Sequence, residues 1–435
     1  MIIMSQKTTL NKISKFENKI VEIQGWIYNK RSSGSIIFLQ IHDGTSTIQG
    51  IIEKKQIGEK QFGELKELNL QSSIVVTGEV KKDKRAPTGY ELQVKKAEII
   101  QNADLDYPIS KKEHGVGFLL DNRHLWLRSK RQQYILQIRD EIFRAITDFY
   151  HQNDYIRLDT PIITPNACEG TTTLFDIDYF GDKAYLSQSG QLYLEAAIFS
   201  LRKVYDFAPV FRAEKSKTRR HLIEFWMNNA EAAFVEHKEN MEIQENLVCF
   251  VMERVLKECS EKLEFLGRDL KKLENIKKPF IRMTHKEAVN ELQKLGSDMK
   301  HGEDFGADDE TLLTKQHDKP IFIEYYPADV KAFYMKKHPT DKKLVLCNDM
   351  LAPEGYGEVI GGSQRMDSYD NLLAAVKKHK LSIKDFSWYL DLRKYGSVPH
   401  SGYGIGMERL LAWVCGLKHV RETIPFPRML NRCYP

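Results

Sequence analysis

The sequence lacks any apolar run of the roughly 18–20 residues that a membrane-spanning helix requires. Its first residues, "MIIMSQKTTLNK", contain only a brief apolar run, too short for the core of a secretory signal peptide. Hydrophobic side chains make up 42% of the 435 residues and charged ones 29%, which are ordinary proportions for a globular protein. We therefore expect a folded protein of two or three domains that works in the cytoplasm and has no membrane partner.

Cysteine is scarce, and two common nucleotide-binding motifs are missing. The six cysteines are scattered, and none forms a C-x-x-C pair, so neither a zinc site nor a redox centre is indicated. Reduced and mostly buried thiols are expected. The sequence contains no G-x-x-x-x-G-K-[ST] and no G-x-G-x-x-G opening a βαβ unit. Any nucleotide must therefore be held without a P-loop or a Rossmann turn.

A large excess of one charge is also absent. The net charge is +5, and residues 1–105 carry most of it, with 16 basic and 12 acidic side chains. The other 330 residues are nearly balanced. This distribution favours a polyanionic partner for the N-terminal quarter. An excess of this size is also unremarkable for an ordinary surface, so charge alone leaves both interpretations open.

Residues 1–105 have the pattern of a small β-barrel. Apolar and polar residues alternate in "IVEIQGWIYNK", on both sides of the turn in "SIIFLQIHDGTSTIQGII", and again in "SSIVVTGEVKK" and "YELQVKKAEII". A short helix, "EKQFGELKELNL", falls between the third and fourth strands. Five strands with a helix after the third predict an OB-fold barrel, with another small barrel as the alternative.

The rest of the chain predicts a linker at 106–129 and a larger domain at 130–435. The segment "NADLDYPISKKEHGVG" has no periodicity, whereas Ile135, Ile138, Ile142 and Ile146 recur at helical spacing. A second long helix is predicted at "NMEIQENLVCFVMERVLKECSEKL". Strand-rich segments between long helices, without regular βαβ alternation, predict an α+β domain on an antiparallel sheet flanked by helices.

Charge is concentrated between two apolar, strand-like segments in "VFRAEKSKTRRHLIEFW". Alternation along a strand would direct Arg212 and Glu214 to the same face. An arginine beside a glutamate can hold a phosphate while the carboxylate accepts a hydrogen bond from an amine. A solvated ion pair on an edge hairpin is the alternative.

Two further stretches supply complementary groups. In "GYGIGMERLLAWVCGL", alternate glycines leave room for a flat ring near the backbone, and Arg409 follows at the start of a helix. In "CNDMLAPEGYGEVIGGSQR", Asp349 and Glu358 precede Arg365. Two carboxylates near a phosphate-binding arginine suit Mg²⁺, which shares oxygen ligands with substrate phosphates.

Taken in order, these segments resemble the motifs of class II aminoacyl-tRNA synthetases of the aspartate, asparagine and lysine subclass. "YIRLDTPIITP" is similar to the first motif, with Pro161 at a homodimer interface. "FRAEKSKTRRHLIEF" is similar to the second motif and "GYGIGMERL" to the third. The resemblance covers almost the whole chain and implies an OB-fold anticodon-binding domain followed by a class II catalytic domain. It also implies ATP and Mg²⁺ as cofactors and an aminoacyl-adenylate as intermediate.

The flanking signatures resemble the asparaginyl group of this subclass and imply asparagine and its tRNA as partners. Where aspartyl enzymes have a lysine in an "SPQLYKQ"-like stretch, this chain has Leu194 in "SGQLYLEA". We expect this change to remove a cation that would favour aspartate. The chain departs from the asparaginyl group at Asn229, where a glutamate is usual. The substitution removes an anion, so we expect a smaller preference for asparagine and expect Asn229→Glu to widen it.

The resemblance assigns roles residue by residue. It implies ATP binding by Arg212, Glu214, Arg220, His221, Phe225, Glu358, Gly406 and Arg409. Of these, Arg212, Arg409 and Glu358 are the predicted catalytic residues, and Asp349 and Glu358 the predicted metal ligands. Amino-acid binding is assigned to Glu169, Gln191, Asn229, Arg365 and His400, with Glu169 on a loop, "NACEGTTT", predicted to close over substrate. Anticodon contacts are assigned to Arg31, Phe38 and Gln49.

Several of these assignments have plain alternatives. Phe225 and Phe38 could equally be core aromatics. At the level of function, the alternatives are a paralogue that activates aspartate or another amino acid for metabolism, and a non-enzymatic RNA-binding relative. The intact barrel argues against the first. The full set of ATP-binding side chains argues against the second.

Overall fold

The computed structural model describes residues 5–86, 88–110, 112–169 and 173–435. The chain divides into two compact units, residues 1–119 and 120–435. The division falls inside the segment predicted as a linker. Residues 170–172, which belong to the loop predicted to close over substrate, lie outside the described residues.

The N-terminal unit is a closed β-barrel. Its strands are β1 (Gln6–Lys7), β2 (Ile20–Ser33), β3 (Ile36–His42), β4 (Thr47–Glu53), β5 (Ser73–Lys82) and β6 (Tyr90–Gln101). Two helices, α1 (Lys54–Ile57) and α2 (Glu59–Glu67), lie between β4 and β5. The strand order is β1-β2-β3-β4-β6-β5, and pairing of β2 with β5 closes the barrel. The OB-fold prediction is confirmed, with the helix after the third of the five long strands.

Alternation decides which side chains fill the barrel. On β3, Ile37, Leu39 and Ile41 are fully buried, while Phe38 and Gln40 between them are only partly covered. Successive strand residues point to opposite faces, so Phe38 faces outward. The alternative reading of Phe38 as a core residue is therefore excluded.

The C-terminal unit contains most of the helices. They are α3 (Val116–Asp121), which begins before the division, α4 (Arg123–Trp126), α5 (Lys130–Gln152), α6 (Gln191–Leu201), α7 (His237–Phe265), α8 (Leu270–Glu274), α9 (His285–Lys294), α10 (Ala307–Thr314), α11 (Tyr369–Lys378), α12 (Ser387–Asp391) and α13 (Met407–Cys415). Helix α5 has the apolar spacing read from the sequence, and Ser129 caps its start by accepting a hydrogen bond from the Gln132 amide.

An eight-stranded sheet forms the centre of this unit. Its strands are β7 (Ile156–Arg157), β11 (Lys203–Phe211), β12 (Glu224–Ala233), β13 (Ile281–Thr284), β14 (Ile321–Glu324), β15 (Cys347–Ala352), β16 (Gly357–Gln364) and β17 (His400–Gly406). The order is β13-β14-β15-β16-β17-β12-β11-β7. The six central strands are antiparallel as predicted, while β13 and β7 pair in parallel at the two edges. A smaller sheet contains β8 (Ile163–Thr164), β9 (Asp176–Tyr179) and β10 (Asp182–Leu186).

The main core lies between one face of this sheet and helices α5, α7 and α13. Tyr150 of α5 donates a hydrogen bond to Asn228 Oδ1 on β12 at 2.7 Å and lies 3.0 Å from the Tyr403 hydroxyl on β17. Buried polar groups of this kind stabilise a fold only when they are paired. The helices therefore fix β12 and β17 on the face opposite the cleft described below.

The second half of the predicted linker is folded. Arg123 of α4 is 1% exposed, and its guanidinium donates to the carbonyl oxygens of Ile424 and Pro425, each at 2.8 Å. It also packs 4.6 Å from the ring centre of Trp126. Burial lowers the pKa of Arg123 to about 10. Sequence periodicity missed this segment because its contacts are with the other end of the chain.

No helix in the described parts of the chain is long and apolar enough to cross a membrane. All six cysteines fall within the described ranges and are unbridged; four of them are buried, Cys249 is half-buried and Cys433 is exposed.

Candidate active site

Two adjoining cavities open on the sheet face opposite the main core. The hairpin cavity is lined by Arg212, Glu214, Arg220, His221, Leu222, Phe225, Met227, Glu358, Val359, Gly404, Gly406, Glu408, Arg409 and Val420. The adjacent cavity includes Glu169, Ser189, Gln191, Asn229, Lys331, Tyr334, Asp349 and Arg365 in its lining. Arg212, Met227, Glu358 and Gly404 line both, so the two cavities form one continuous cleft.

The predicted charged hairpin is present. Strands β11 and β12 pair antiparallel, with Val210 opposite Phe225 and Phe211 opposite Glu224. Strand β11 ends at Phe211, so Arg212 and Glu214 lie in the connecting loop. The strand alternation expected to orient these two side chains therefore does not apply. Both nevertheless line the hairpin cavity.

Arg212 is fixed by contacts with Ile223 and Phe225, but within the described residues one N–H of its guanidinium has no hydrogen-bond partner. Its backbone amide donates to the carbonyl oxygen of Ile223 at 3.0 Å, and its guanidinium lies 5.6 Å from the ring centre of Phe225. Its buried Nε has no hydrogen-bond partner within the described part of the chain. A buried N–H without a partner is costly, and an anionic oxygen would satisfy it.

Arg409 enters from the opposite wall at the first turn of α13. Its Nη1 donates to Glu358 Oε2 at 3.0 Å and to the Glu358 carbonyl oxygen at 3.1 Å. Burial opposes ionisation of Glu358, but Arg409, Lys331 and Arg212 outweigh it and lower the pKa of that carboxyl. Glu358 is therefore an anion surrounded by cations, in a position shared by both cavities.

Arg220 lines the hairpin cavity, but protein groups occupy its guanidinium. It pairs with Glu310 Oε2 at 2.7 Å, contacts the hydroxyl of Thr311 and donates to the carbonyl oxygen of Gly355 at 2.6 Å. The same Glu310 oxygen accepts the Glu358 backbone amide at 2.9 Å. Burial and the nearby Glu358 raise the pKa of Glu310 to about 7, against the effect of Arg409 and Arg220.

His221 is placed between the loop and Glu214. Its Nε2 lies 3.4 Å from Glu214 Oε2, and its Nδ1 contacts the hydroxyls of Ser216 and Thr218. Burial, together with the charge of Arg409, lowers the pKa of His221, while Glu214 opposes that shift. At neutral pH the ring is therefore mainly neutral and serves as a hydrogen-bonding group.

The two predicted metal ligands, Asp349 and Glu358, lie close together beside Gly361. A Cβ added to Gly361 would lie 3.2 Å from Glu358 Oε1 and 3.6 Å from Asp349 Oδ1. Asp349 also accepts from Lys331 Nζ at 2.9 Å. Burial, and secondarily Glu358, raise the pKa of Asp349 to about 6, while Lys331 opposes the shift. No three potential ligands converge into a ready-made metal site among residues the structure describes, so this position offers a carboxylate pair.

Arg365 stands at the inner end of the adjacent cavity inside a buried cluster of arginine and glutamate side chains. Its Nε donates to Glu231 Oε2 at 3.2 Å, its Nη2 to Glu231 Oε1, and its Nη1 to Ser363 Oγ at 2.6 Å. Glu195 Oε1 lies 4.0 Å away. Burial and the charge of Glu195 raise the pKa of Glu231 to about 8, while Arg365 opposes the shift, so Arg365 is the partner that favours the charged form of Glu231.

Glu195 is the centre of the second half of this cluster. It accepts from Arg393 at 2.6 Å, Tyr389 at 2.7 Å and Gln191 at 3.0 Å, and it lies 3.1 Å from His400 Nε2. Burial works against its ionisation, but Arg393, His400 and Arg365 prevail and bring the pKa of Glu195 well below its usual range. Helix α6 therefore presents a buried anion directly behind the cavity.

One sequence-based assignment needs correction here. His400 is fully buried and does not line either cavity; its ring contacts Glu195 and the Val398 carbonyl oxygen. Leu194 is also fully buried and packs with Ile198 and Val204 in an apolar cluster. Leu194 itself does not line either cavity, and the expected loss of a cation at this position stays a prediction. The residue of α6 that does lie beside Arg365 is its neighbour, Glu195.

The remaining predicted amino-acid ligands do line the adjacent cavity. Glu169 accepts from the Tyr334 hydroxyl at 3.1 Å, and Gln191 starts helix α6 with its amide turned towards Glu195. Asn229, on β12, is 2% exposed and accepts from Ser189 Oγ at 3.1 Å. These three side chains form the rim and floor around Arg365.

Sequence reasoning missed Glu195, Glu231, Arg393, Lys331 and Glu310. A signal existed for two of them. Glu195 follows Gln191 by four residues on one helix, and Glu231 follows Asn229 by two on one strand, so each shares a face with a predicted ligand. Nothing local marked the other three, because their partners are distant in sequence.

The predicted anticodon residues lie together on the outer face of the barrel. Arg31 pairs opposite Phe38 across β2 and β3, with its guanidinium 4.6 Å from the ring centre. Gln49 on β4 pairs opposite Gln40 on β3. An exposed arginine, an aromatic ring and amide side chains on one barrel face can bind unstacked bases.

The chain matches two family models: "tRNA synthetases class II (D, K and N)" over residues 116–430 and "OB-fold nucleic acid binding domain" over residues 21–100. The chain belongs to the class II tRNA synthetases of the D, K and N group. This confirms the family and the fold class predicted from the three motifs and the barrel.

Curated relatives that match this chain over its full length include three named asparagine–tRNA ligase. The protein of that name from Desulforamulus reducens is 55% identical over 430 residues, which cover 99% of this chain and all of the relative. The one from Pelotomaculum thermopropionicum is 52% identical with the same coverage. The crystal structure of asparaginyl-tRNA synthetase from Pyrococcus horikoshii, complexed with asparaginyl-adenylate, superposes with a TM-score of 0.96 at 44% identity, covering 99% of this chain and 100% of that one.

Proposed function

We propose that this chain attaches asparagine to its tRNA in two steps. The asparagine carboxylate attacks the α-phosphorus of ATP, which forms asparaginyl-adenylate and releases pyrophosphate. A terminal ribose hydroxyl of the tRNA then attacks the adenylate and releases AMP. The cytoplasm is the proposed location. The observation that carries this proposal is the continuous cleft, in which Arg212 and Arg409 line one cavity and Arg365, paired with a protein carboxylate, lines the other.

The hairpin cavity suits the ATP phosphates and adenine. Arg212 and Arg409 both line this cavity, and the buried Nε–H of Arg212 has no hydrogen-bond partner among the residues that the structure describes. We assign Arg212 to the α-phosphate and Arg409 to the γ-phosphate. Glu214 is assigned to the adenine amine, with Phe225 and the bare backbone at Gly406 beside the ring. Because the attacking carboxylate is already ionised, no side-chain base is required, and catalysis rests on positioning and charge stabilisation.

Arg220 has a different role in this proposal. Its guanidinium is engaged by Glu310, Thr311 and Gly355, so it orders the wall of the cavity and offers its remaining N–H capacity to the outer phosphates. His221 lies beside Glu214 and reaches the same region.

Mg²⁺ fits the carboxylate pair of Asp349 and Glu358. The two side chains flank Gly361, and their mutual repulsion is one cause of the raised pKa of Asp349. Bound there, the ion would supply positive charge to the phosphates and to the departing pyrophosphate. Asp349 and Glu358 hold it, and Lys331 compensates Asp349 from the protein side.

The Arg365 cluster favours an amide over a carboxylate. Glu231 is already paired with Arg365, and the anionic Glu195 lies behind it, so a substrate carboxylate would stand beside two buried acidic groups. A neutral amide can accept from the guanidinium without that cost. Asparagine is therefore the expected substrate, with Glu169, Gln191 and Asn229 around its ammonium.

The barrel face of Arg31, Phe38 and Gln49 is the proposed anticodon site, which explains the basic excess of the N-terminal quarter. Binding of tRNA should weaken steeply with salt because phosphate contacts release counterions.

A homodimer through the Pro161 region is also proposed. Ile156, Ile162 and Ile163 around this proline are each more than 40% exposed, an apolar surface that a second copy would cover. Sedimentation of Ile162→Asp should show monomer, whereas Ile383→Asp, at an exposed site elsewhere in the same unit, should leave the dimer intact. A dimer that persists in Ile162→Asp would place the interface elsewhere.

ATP–pyrophosphate exchange measured with all twenty amino acids tests the function. We expect exchange with asparagine and much weaker exchange with aspartate. Charging of asparagine tRNA by the same preparation completes the test. Exchange that depends on another amino acid, or exchange without any charging of tRNA, would favour a metabolic paralogue.

A further inference from the structure

A buried carboxylate lies directly under the floor of the adjacent cavity. Asp206 on β11 is 1% exposed and stands opposite Asn229 in the strand register. Its Oδ1 accepts two hydrogen bonds from Asn229, from the backbone amide at 3.1 Å and from the side-chain Nδ2 at 2.9 Å. Its Oδ2 accepts from Thr160 Oγ1 at 2.8 Å. Within the described ranges, Asp206 takes part in no ion pair.

The contact with Asp206 decides which way the Asn229 amide points. An ionised carboxylate only accepts hydrogen bonds, so the Asn229 group beside it must be the Nδ2 donor. The Oδ1 end is then on the opposite side, where it accepts from Ser189 Oγ at 3.1 Å. A Cβ on Gly404 would lie 3.0 Å from this oxygen, so the bare glycine backbone leaves the space in front of it open.

The oxygen side of Asn229 is also the cavity side. Asn229, Ser189, Gln191 and Gly404 all line the adjacent cavity, whereas Asp206 does not. A glutamate, which the resemblance leads one to expect at position 229, would present an acceptor oxygen in any orientation. An asparagine presents an oxygen only if its amide is prevented from turning over.

We propose that Asp206 is a positioning residue for amino-acid binding, which holds the Asn229 amide with its oxygen towards the substrate ammonium. The inference rests on the proposed function of the adjacent cavity. It places the negative charge one strand away from its expected position, on β11 instead of β12. The charge acts through an intervening amide and never touches the substrate.

The ionisation of Asp206 is in keeping with this role. Burial raises the pKa of Asp206 to about 6, and the hydrogen bonds from Asn229 and Thr160 limit the rise. At neutral pH the carboxylate is therefore mainly ionised and can act only as an acceptor.

The placement of Asp206 also changes what Asn229→Glu would do. A second carboxylate at position 229 would meet Asp206 at hydrogen-bond distance, and two like charges there disfavour each other. The simple expectation that this substitution widens the preference for asparagine therefore holds only if Asp206 is neutralised at the same time.

The experiment compares three variants in ATP–pyrophosphate exchange. Asp206→Asn has the same shape but can donate, so it no longer fixes the amide of Asn229. We expect the KM for asparagine to rise about tenfold or more, with kcat and the KM for ATP within about threefold of wild type. The reciprocal double variant Asp206→Asn/Asn229→Asp returns a pure acceptor to the cavity side and should restore the KM for asparagine to within about threefold.

Thr160→Ser is the matched control, because it changes the neighbour of Asp206 but keeps the hydroxyl that donates to Oδ2, and it leaves Asn229 untouched. Its KM for asparagine should stay within about twofold of wild type. An unchanged KM in Asp206→Asn, a parallel loss in both substrates, or no restoration by the reciprocal variant would each overturn the proposal. Failure of the proposed function is seen separately, as wild-type exchange that does not depend on asparagine, and it would overturn this inference as well.

Discussion

The two cavities of the cleft balance their charges differently. In the hairpin cavity, Arg212 keeps a buried Nε with no partner within the described residues, and Arg409 shares a partly exposed Glu358. In the adjacent cavity, each of the three nitrogens of Arg365 already donates to a protein oxygen. The first cavity therefore keeps a buried cationic donor free for a phosphate oxygen. In the second, the arginine is already paired with a protein carboxylate, so it suits a ligand whose side chain is neutral.

The largest expected effect comes from removing the cations of the hairpin cavity. Arg212→Ala and Arg409→Ala should each slow pyrophosphate exchange by about 100- to 1000-fold, since each charge stabilises the phosphoryl transition state by about 3–4 kcal/mol. Circular dichroism should show an intact fold. Lys217→Ala, at an exposed position of the same loop, is the control and should exchange normally. Exchange rates within a few-fold of wild type in the arginine variants would show that the hairpin cavity does not stabilise the phosphates through these two cations.

The next effect concerns stability beneath the adjacent cavity. Burial raises the pKa of Asp206 from its ordinary 3.8 to about 6, so between these values the native state holds a proton that the unfolded chain has lost. Stability from this group therefore falls as the pH rises from about 4 to 6. A shift of about two pKa units corresponds to about 3 kcal/mol.

Asp206→Asn should remove this slope, which denaturant unfolding at several pH values between 4 and 7 would measure. Asp140→Asn, at an exposed pair with Arg144 on α5, is the control and should follow wild type. Curves for wild type and Asp206→Asn that run parallel across this window would contradict the assigned cause.

A smaller effect is expected on substrate choice. Glu231→Gln removes the carboxyl group that is paired with Arg365 and frees the guanidinium for a substrate carboxylate. The preference for asparagine over aspartate, as a ratio of kcat/KM, should fall about 10- to 100-fold, or about 1.4–2.8 kcal/mol. Glu236→Gln, an exposed glutamate just beyond the same strand, should leave the ratio unchanged. An unchanged ratio in Glu231→Gln would mean that charge balance at Arg365 does not select the amide.

The smallest effect belongs to the open barrel face, where nothing encloses the ligand. Phe38→Leu should lower charging of asparagine tRNA about tenfold by removing one stacking surface worth about 1–3 kcal/mol. Pyrophosphate exchange, which needs no tRNA, should not change. Phe38→Tyr keeps the ring and should charge tRNA almost normally. Equal losses in charging and exchange would argue for a structural role of this ring.

Sequence patterns predicted the features that depend on residues close together in the sequence, such as helices, strands and motif segments. The spacing of Ile135, Ile138 and Ile142 gave helix α5, and the alternation around Phe38 gave the barrel strand on which it lies. The three motifs likewise predicted which segments line the cleft, because each motif contains its own strand, turn or helix start.

The features that patterns missed depend on contacts between distant segments. Glu195 meets Arg393 and His400, which lie 198 and 205 residues further along the chain, so no local window contains the cluster. His400 was misplaced because its position in a motif does not say whether its side chain reaches the cavity. Burial of Arg123 was missed because its partners, the carbonyl oxygens of Ile424 and Pro425, are also distant in sequence.

The anchoring of Arg123 has a consequence for the order of folding during synthesis. The cation at position 123 is made early, but the carbonyl oxygens of Ile424 and Pro425 that satisfy it are made only 301 and 302 residues later. A buried cation without its partners costs several kcal/mol, so the segment around α4 cannot take its final place on the nascent chain. The barrel, whose strands all precede residue 102, has no such requirement. During synthesis the barrel should therefore fold first, and the larger unit should complete its fold only after residues 424 and 425 have left the ribosome.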